Sequence, residues 1–131
     1  MAKVKKRKKA SVSPTQLTLK YLRKNGWSCQ VVEHYNFWTK RRIDLFNWLD
    51  IVAIHPKHSG VMGVQTTTTS HANERLKKAR GIPELKIWLK AGNPLNLITW
   101  TQKLAKTRSK RKTWVVTDRE VTLEDLNDSS D

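Results

Sequence analysis

The stretch WLDIVAIHPKHSGVMGVQTTTTS, residues 48–70, decides how this chain is read. WLDIVAI (48–54) is an apolar, β-branched run with the character of a buried strand, and VMGVQTTT (61–68) is its partner. Between them His55-Pro56-Lys57-His58-Ser59-Gly60 has the composition of a turn, so the two runs form a hairpin. One acid, Asp50, interrupts the first run. A buried carboxylate without a partner costs several kcal/mol, roughly, so it is paired with a cationic side chain, neutralised or used to hold a cation. The hairpin folds Gln65 back toward Asp50, and the side-chain period of two puts Gln65 and Thr67 on one face. A carboxylate, an amide oxygen and a hydroxyl together make a hard-oxygen set suited to Mg²⁺ or Mn²⁺. TTTT is also ordinary strand sequence, so this pattern alone is a weak signal.

Outward from the hairpin, the punctuation is regular. Ser13 as N-cap, Pro14 at the first helical position, Gln16 completing a capping box and Gly26 as a stop predict a helix over 14–25. Its apolar face is Leu17, Leu19, Tyr21 and Leu22, with Arg23 and Lys24 at the end favoured by the helix dipole. WSCQVVEHY (27–35) reads as the first strand, and NFWTKRRID after it as a basic irregular stretch. Downstream, HANERLKKAR (71–80) and a segment over 82–91 starting around Pro83 read as short helices. LNLITWTQ (95–102) and TWVVTDREV (113–121) read as strands flanking a basic loop over 103–112, and the acidic end reads as frayed. The order predicts an α/β fold, a mixed central sheet flanked by helices. It is expected to occupy residues 13–121 as one domain, with a basic arm at 1–12 and an acidic tail at 122–131.

The 131 residues carry 26 Lys plus Arg against 11 Asp plus Glu, a formal net charge of +15. Six of the acids (Asp118, Glu120, Glu124, Asp125, Asp128 and Asp131) crowd into the last 14 residues, leaving a far more basic body. A polyanion is the expected partner, because such a field attracts phosphate backbones through counterion release. The arm holds six Lys or Arg within residues 3–9, and Lys110, Arg111 and Lys112 close the second basic run. Trp38 beside Lys40, Arg41 and Arg42 is placed either to stack on an unpaired base or to lie as a lid over the core. Arg75, Lys77, Lys78 and Arg80 put a third set of cations on the predicted 71–80 helix. No apolar run approaches a membrane span or a signal core, which leads us to expect a soluble, cytoplasmic protein, in the host cytoplasm if viral. The lone Cys29 reads as a small buried hydrophobe. No Gly-rich phosphate loop, G-x-S-x-G or H-E-x-x-H motif is present, which disfavours nucleotide-dependent, serine-hydrolase and zincin chemistry.

Taken together, the helix, the DIVA strand and the GVQTT strand resemble the PD-(D/E)XK nuclease superfamily in its Holliday-junction-resolvase-like branch, over roughly residues 14–102. The stretches SPTQLTLKYLRKNGW, VVEHYN, RRIDLFNWLDIVAI and GVQTTTTS are also similar to small phage and bacterial proteins in which Gln is normal on the third strand. The resemblance implies a restriction-endonuclease-like α-β-β-β-α-β core and a divalent ion, Mg²⁺ or Mn²⁺. It further implies phosphodiester hydrolysis on nucleic acid, DNA before RNA, possible substrates being branched or structured DNA, and a homodimer. Asp50 matches the family Asp, Gln16 stands in the helix region of the family Glu, and Gln65-Thr66-Thr67 replaces E-x-K. Asp50 and Gln65 are thus the expected metal ligands, with Thr67 in the lysine position. The lost negative charge is expected to be restored by Glu33 or Asp44, and the lost lysine by Arg75 or Lys77. The alternative is a binding module that keeps the fold without the chemistry.

Overall fold

The computed structural model describes residues 12–104 and 112–127. The basic arm up to residue 11, Lys110 and Arg111 lie outside the described residues. The first helix, α1 (Pro14–Lys24), begins as its sequence predicts: the Ser13 hydroxyl accepts from the Gln16 amide at 3.2 Å. Gly26, at φ +87°, ends it in a conformation that strongly favours glycine. The chain continues through β1 (Ser28–Val31), β2 (His34–Asn36), β3 (Arg41–Ile43), β4 (Ile51–His55) and β5 (His58–Thr68). A 3-10 turn at Thr69–His71 leads to α2 (Ala72–Arg80) and α3 (Pro83–Lys90), then β6 (Leu95–Leu104), β7 (Lys112–Glu120) and α4 (Leu123–Asn127).

Five strands form one mixed sheet in the order β1-β4-β5-β6-β7, in which only the β5–β6 pair is parallel. The parallel pair follows from the connection, since α2 and α3 carry the chain back across the sheet before β6 begins. On one face Leu22 of α1 packs with Ile51, Ala53, Met62, Val64, Ile98 and Trp100. On the other, Trp48, Leu49, Leu95 and Leu97 pack with Leu76 and Ala79 of α2, Leu85 of α3 and Leu126 of α4. Consecutive β6 residues, Leu97 and Ile98, therefore serve different layers, and the α/β class and mixed sheet stand as expected.

Four expectations change. The single strand over 27–35 divides, because the Val32 amide donates to the Asp50 carbonyl at 2.9 Å and closes the β1 ladder there. The following residues pair instead with Arg41–Ile43 in a separate two-stranded sheet, so the basic stretch is a hairpin rather than irregular chain. The turn between β4 and β5 is tighter than the composition implied, with His55 opposite His58. The described part of the acidic tail is folded, not frayed. Asp125 and Thr122 cap each other, amide to side chain, at 2.9 and 3.3 Å, and Leu126 is buried against α2 and α3.

Candidate functional site

Asp50 lies immediately before β4, held by its backbone on both sides. Its amide donates to the Val64 carbonyl at 2.8 Å and its carbonyl accepts from Val32. The β4–β5 ladder starts at Ile51 opposite Val64, so farther along β5 the edge toward β4 has no strand partner. Asp50 fills that gap with its side chain, Oδ2 accepting from the Thr66 amide at 3.0 Å. Thr66 is itself anchored: its hydroxyl meets that of Thr18 on α1 at 2.7 Å, and Trp100 Nε1 donates to Thr18 Oγ1 at 2.8 Å. A buried polar chain thus runs from α1 to the carboxylate.

Two more acids reach Asp50 by different routes. Glu33 sits where the chain leaves β1. Asp44 is brought back by a tight reversal in which the Leu45 and Leu49 amides and carbonyls bond each other at 3.0 and 2.9 Å. Phe46 and Asn47 make that reversal with φ of +54° and +61°, unusual values for residues with side chains. Glu33, Asp44 and Asp50 then offer oxygens that all lie within 4.8 Å of one another. Burial foremost, with added repulsion from Asp44 and then Glu33, pushes the Asp50 carboxyl up to about 8, against the opposing pull of the Thr66 N–H.

Three crowded carboxyl groups, one of them only 6 % exposed, fit a hard divalent cation. Oxygens surround Mg²⁺ at about 2.0–2.1 Å and Ca²⁺ at about 2.3–2.6 Å, so the spacing closes on one ion with small side-chain movements. Gln65 is less free than the sequence implied. Its Nε2 donates to the Trp48 carbonyl at 2.6 Å, so only its Oε1 remains to face a cation. Thr67 is buried two residues along on the same strand, opposite Thr99 of β6.

The cation at the cluster is Arg42, whose guanidinium stands 3.5 Å from Glu33 while remaining 76 % exposed. Arg42 lines two grooves. One, of about 530 Å³, runs past Ser13, Gln16, Leu19, Glu33 and Tyr35; the other, of about 540 Å³, past Thr39, Arg41 and Asn47. Gln16 of α1 is exposed on the first groove rather than buried with the acids.

The other predicted cations spread over the surface. Lys40 and Arg41 are exposed on the β2–β3 hairpin, Lys77 and Lys78 on α2, and Lys112 at the start of β7. Arg80 donates its Nε to the Asp125 carbonyl at 3.0 Å, which ties it to α4. Arg75 is half-buried, its carbonyl accepting from Trp48 Nε1 at 2.8 Å. Trp38 is 96 % exposed and covers nothing, which overturns its reading as a lid. Trp48 and Trp100 are core residues, and Trp88 and Trp114 pack half-buried against the two layers.

Sequence reasoning passed over Thr66 and Thr18. Thr66 acts through its main-chain N–H, which no side-chain pattern advertises. No helix among the described residues is long and apolar enough to cross a membrane. Comparison with protein-family models, with curated proteins and with solved structures finds no match to this chain.

Proposed function

We propose that this chain is a metal-dependent nucleic-acid phosphodiesterase of the endonuclease type, built on a restriction-endonuclease-like core and acting on DNA. The observation that carries the reading is the meeting of Glu33, Asp44 and Asp50 in a protein of formal charge +15. Only five acids precede residue 118, and three of them converge here. A chain so poor in acids gathers them where a cation belongs.

The three carboxylates, with Gln65 Oε1 as a weaker donor, would hold Mg²⁺ or Mn²⁺. Such an ion supplies an activated water and neutralises charge on the phosphate. The Thr66 amide keeps Asp50 turned into the site. Arg42, beside Glu33, takes the electrostatic role that the absent lysine leaves open, in place of Arg75 or Lys77. Lys40 and Arg41 on the hairpin and Lys77 and Lys78 on α2 grip backbone phosphates without reading sequence.

Purified protein incubated with linear, flap and four-way-junction DNA in Mg²⁺ or Mn²⁺ is expected to cleave at least one substrate, and Asp50→Ala to abolish that cleavage. Cleavage unchanged by Asp50→Ala removes this mechanism. A second reading, a binding module without chemistry, draws on the Gln65 amide committed to Trp48 and the neutral Thr67 where a lysine is expected. It predicts salt-sensitive binding independent of metal and no cleavage.

The N-terminal arm supplies affinity in either reading. Six basic residues within 3–9 that neutralise about four phosphates contribute roughly 3–4 units to the slope of log K against log salt. Deleting residues 2–9 is expected to flatten the slope by that amount and leave metal binding at Asp50 intact. An unchanged slope assigns the arm to solubility alone.

A further inference from the structure

We infer that the β2–β3 hairpin is a wedge that stacks an unpaired base on Trp38, directing the site to branch points and duplex ends. Phe37 and Trp38 are 83 % and 96 % exposed at its tip. Neighbouring aromatic rings left in water call for a partner, and here the neighbours define its chemistry. Lys40, Arg41 and Arg42 follow after Thr39 and are all exposed, so the rings stand among cations rather than in an apolar patch. A π-face bordered by phosphate-binding groups fits a nucleobase joined to its backbone. An intact duplex presents no open base face along its length, whereas a fork or flap does.

The tip is built to hold its shape. Asn36 Oδ1 accepts from the Trp38 amide at 2.9 Å and the Thr39 amide at 3.3 Å, and Lys40 turns the chain with φ +54°. Phe37 meets Tyr35 edge to face, ring centroids 5.2 Å apart, which leaves Trp38 as the ring free to stack. Little ordering entropy is then lost when a base arrives.

The hairpin's position links it to the acids. Glu33 immediately precedes β2 and Asp44 immediately follows β3, so two of the three carboxylates flank its open end. Trp38 is five residues from Glu33, at most about 17 Å of extended chain. At about 3.4 Å per nucleotide along one strand, the cut falls within about five nucleotides of the stacked base. The cut position rests on the nuclease reading proposed above; the stacking does not.

Binding is measured without metal, in chelator, to a forked DNA carrying a fluorescent base analogue at the branch and to a blunt duplex of equal length. Trp38→Ala is expected to weaken fork binding about five- to 150-fold, the range of one base–aromatic stack, and to leave duplex binding unchanged. Trp38→Phe retains most of the preference, and quenching of the analogue is lost only in Trp38→Ala. Because Trp38 covers nothing, these variants fold. An equal effect of Trp38→Ala on both DNAs, or none on either, overturns the wedge. Absence of cleavage by the wild-type protein alongside the Trp38→Ala effect sinks the nuclease reading alone. Cleavage lost in Asp50→Ala with unaltered fork preference in Trp38→Ala sinks the wedge alone.

Discussion

In metal-free protein at pH 8, Asp50→Asn is expected to raise stability while it removes the proposed activity. Asp50 is 6 % exposed, and burial, with Asp44 and Glu33 beside it, raises its pKa from 3.8 to about 8. The unfolded chain gives up the proton near pH 4, and the folded one retains it until about pH 8. Between those values the folded state binds more protons, so stability falls as pH rises. The stabilisation is fully present below about pH 4 and lost as pH passes through 8. At about 1.4 kcal/mol per unit the ceiling is about 6 kcal/mol, and about 2 is the realistic size once water and side chains relax. Asn keeps an oxygen for the Thr66 N–H and offers an NH₂ to the facing carboxylates, without charge. Urea midpoints from pH 4.5 to 8.5 in chelator should fall for the wild type relative to Asp50→Asn. Parallel curves would reject the assignment. Saturating Mn²⁺ at pH 8 should restore the wild type by about 3 kcal/mol at 100 times Kd, and the variant by far less.

Two tryptophans ten residues apart should respond in opposite ways to removal. Trp48 has no exposed surface; it packs between the sheet and α2, its Nε1 donates to the Arg75 carbonyl and its own carbonyl receives the Gln65 amide. Trp48→Ala leaves a cavity and removes the indole bond to the Arg75 carbonyl, with an expected cost of about 3–5 kcal/mol. For a small domain stable by about 5–15 kcal/mol, that approaches unfolding at ambient temperature. Trp38→Ala should move stability by no more than about 0.5 kcal/mol. Urea unfolding of the two variants checks the contrast, and a comparable loss in both would place Trp38 in the packed structure.

Much of this arrangement is legible in residue order. The Ser13-Pro14-Gln16 signal starts α1, the β-branched runs on either side of Pro56-Lys57 make the β4–β5 hairpin, and Asp50 stands out as an acid in a buried segment. Glu33 and Asp44 are nameable as scarce acids, but their approach to Asp50 is not. It depends on Phe46 in a left-handed conformation that a bulky residue rarely takes and that its propensity does not forecast. The split after Val31 is also hidden, because WSCQVVEHY reads as one β-rich run and only the Val32–Asp50 bond ends it. The folded tail had a readable signal: Thr122 and Asp125 stand in capping-box spacing, outweighed in composition by the surrounding acids.

The two-stranded sheet makes no ladder with the five-stranded one, and the chain enters and leaves it beside Glu33 and Asp44. The excursion is therefore a cassette. Residues 34–43 can lengthen, shorten or change their tip without altering the register of β1 on β4 or of β4 on β5, which holds Asp50. In the proposed reading, base stacking at the tip is then separable from the carboxylate cluster, while Arg42 at the hairpin's base joins the two. On the proposed function, a change confined to residues 37–40 would alter preference and leave the three carboxylates where they are.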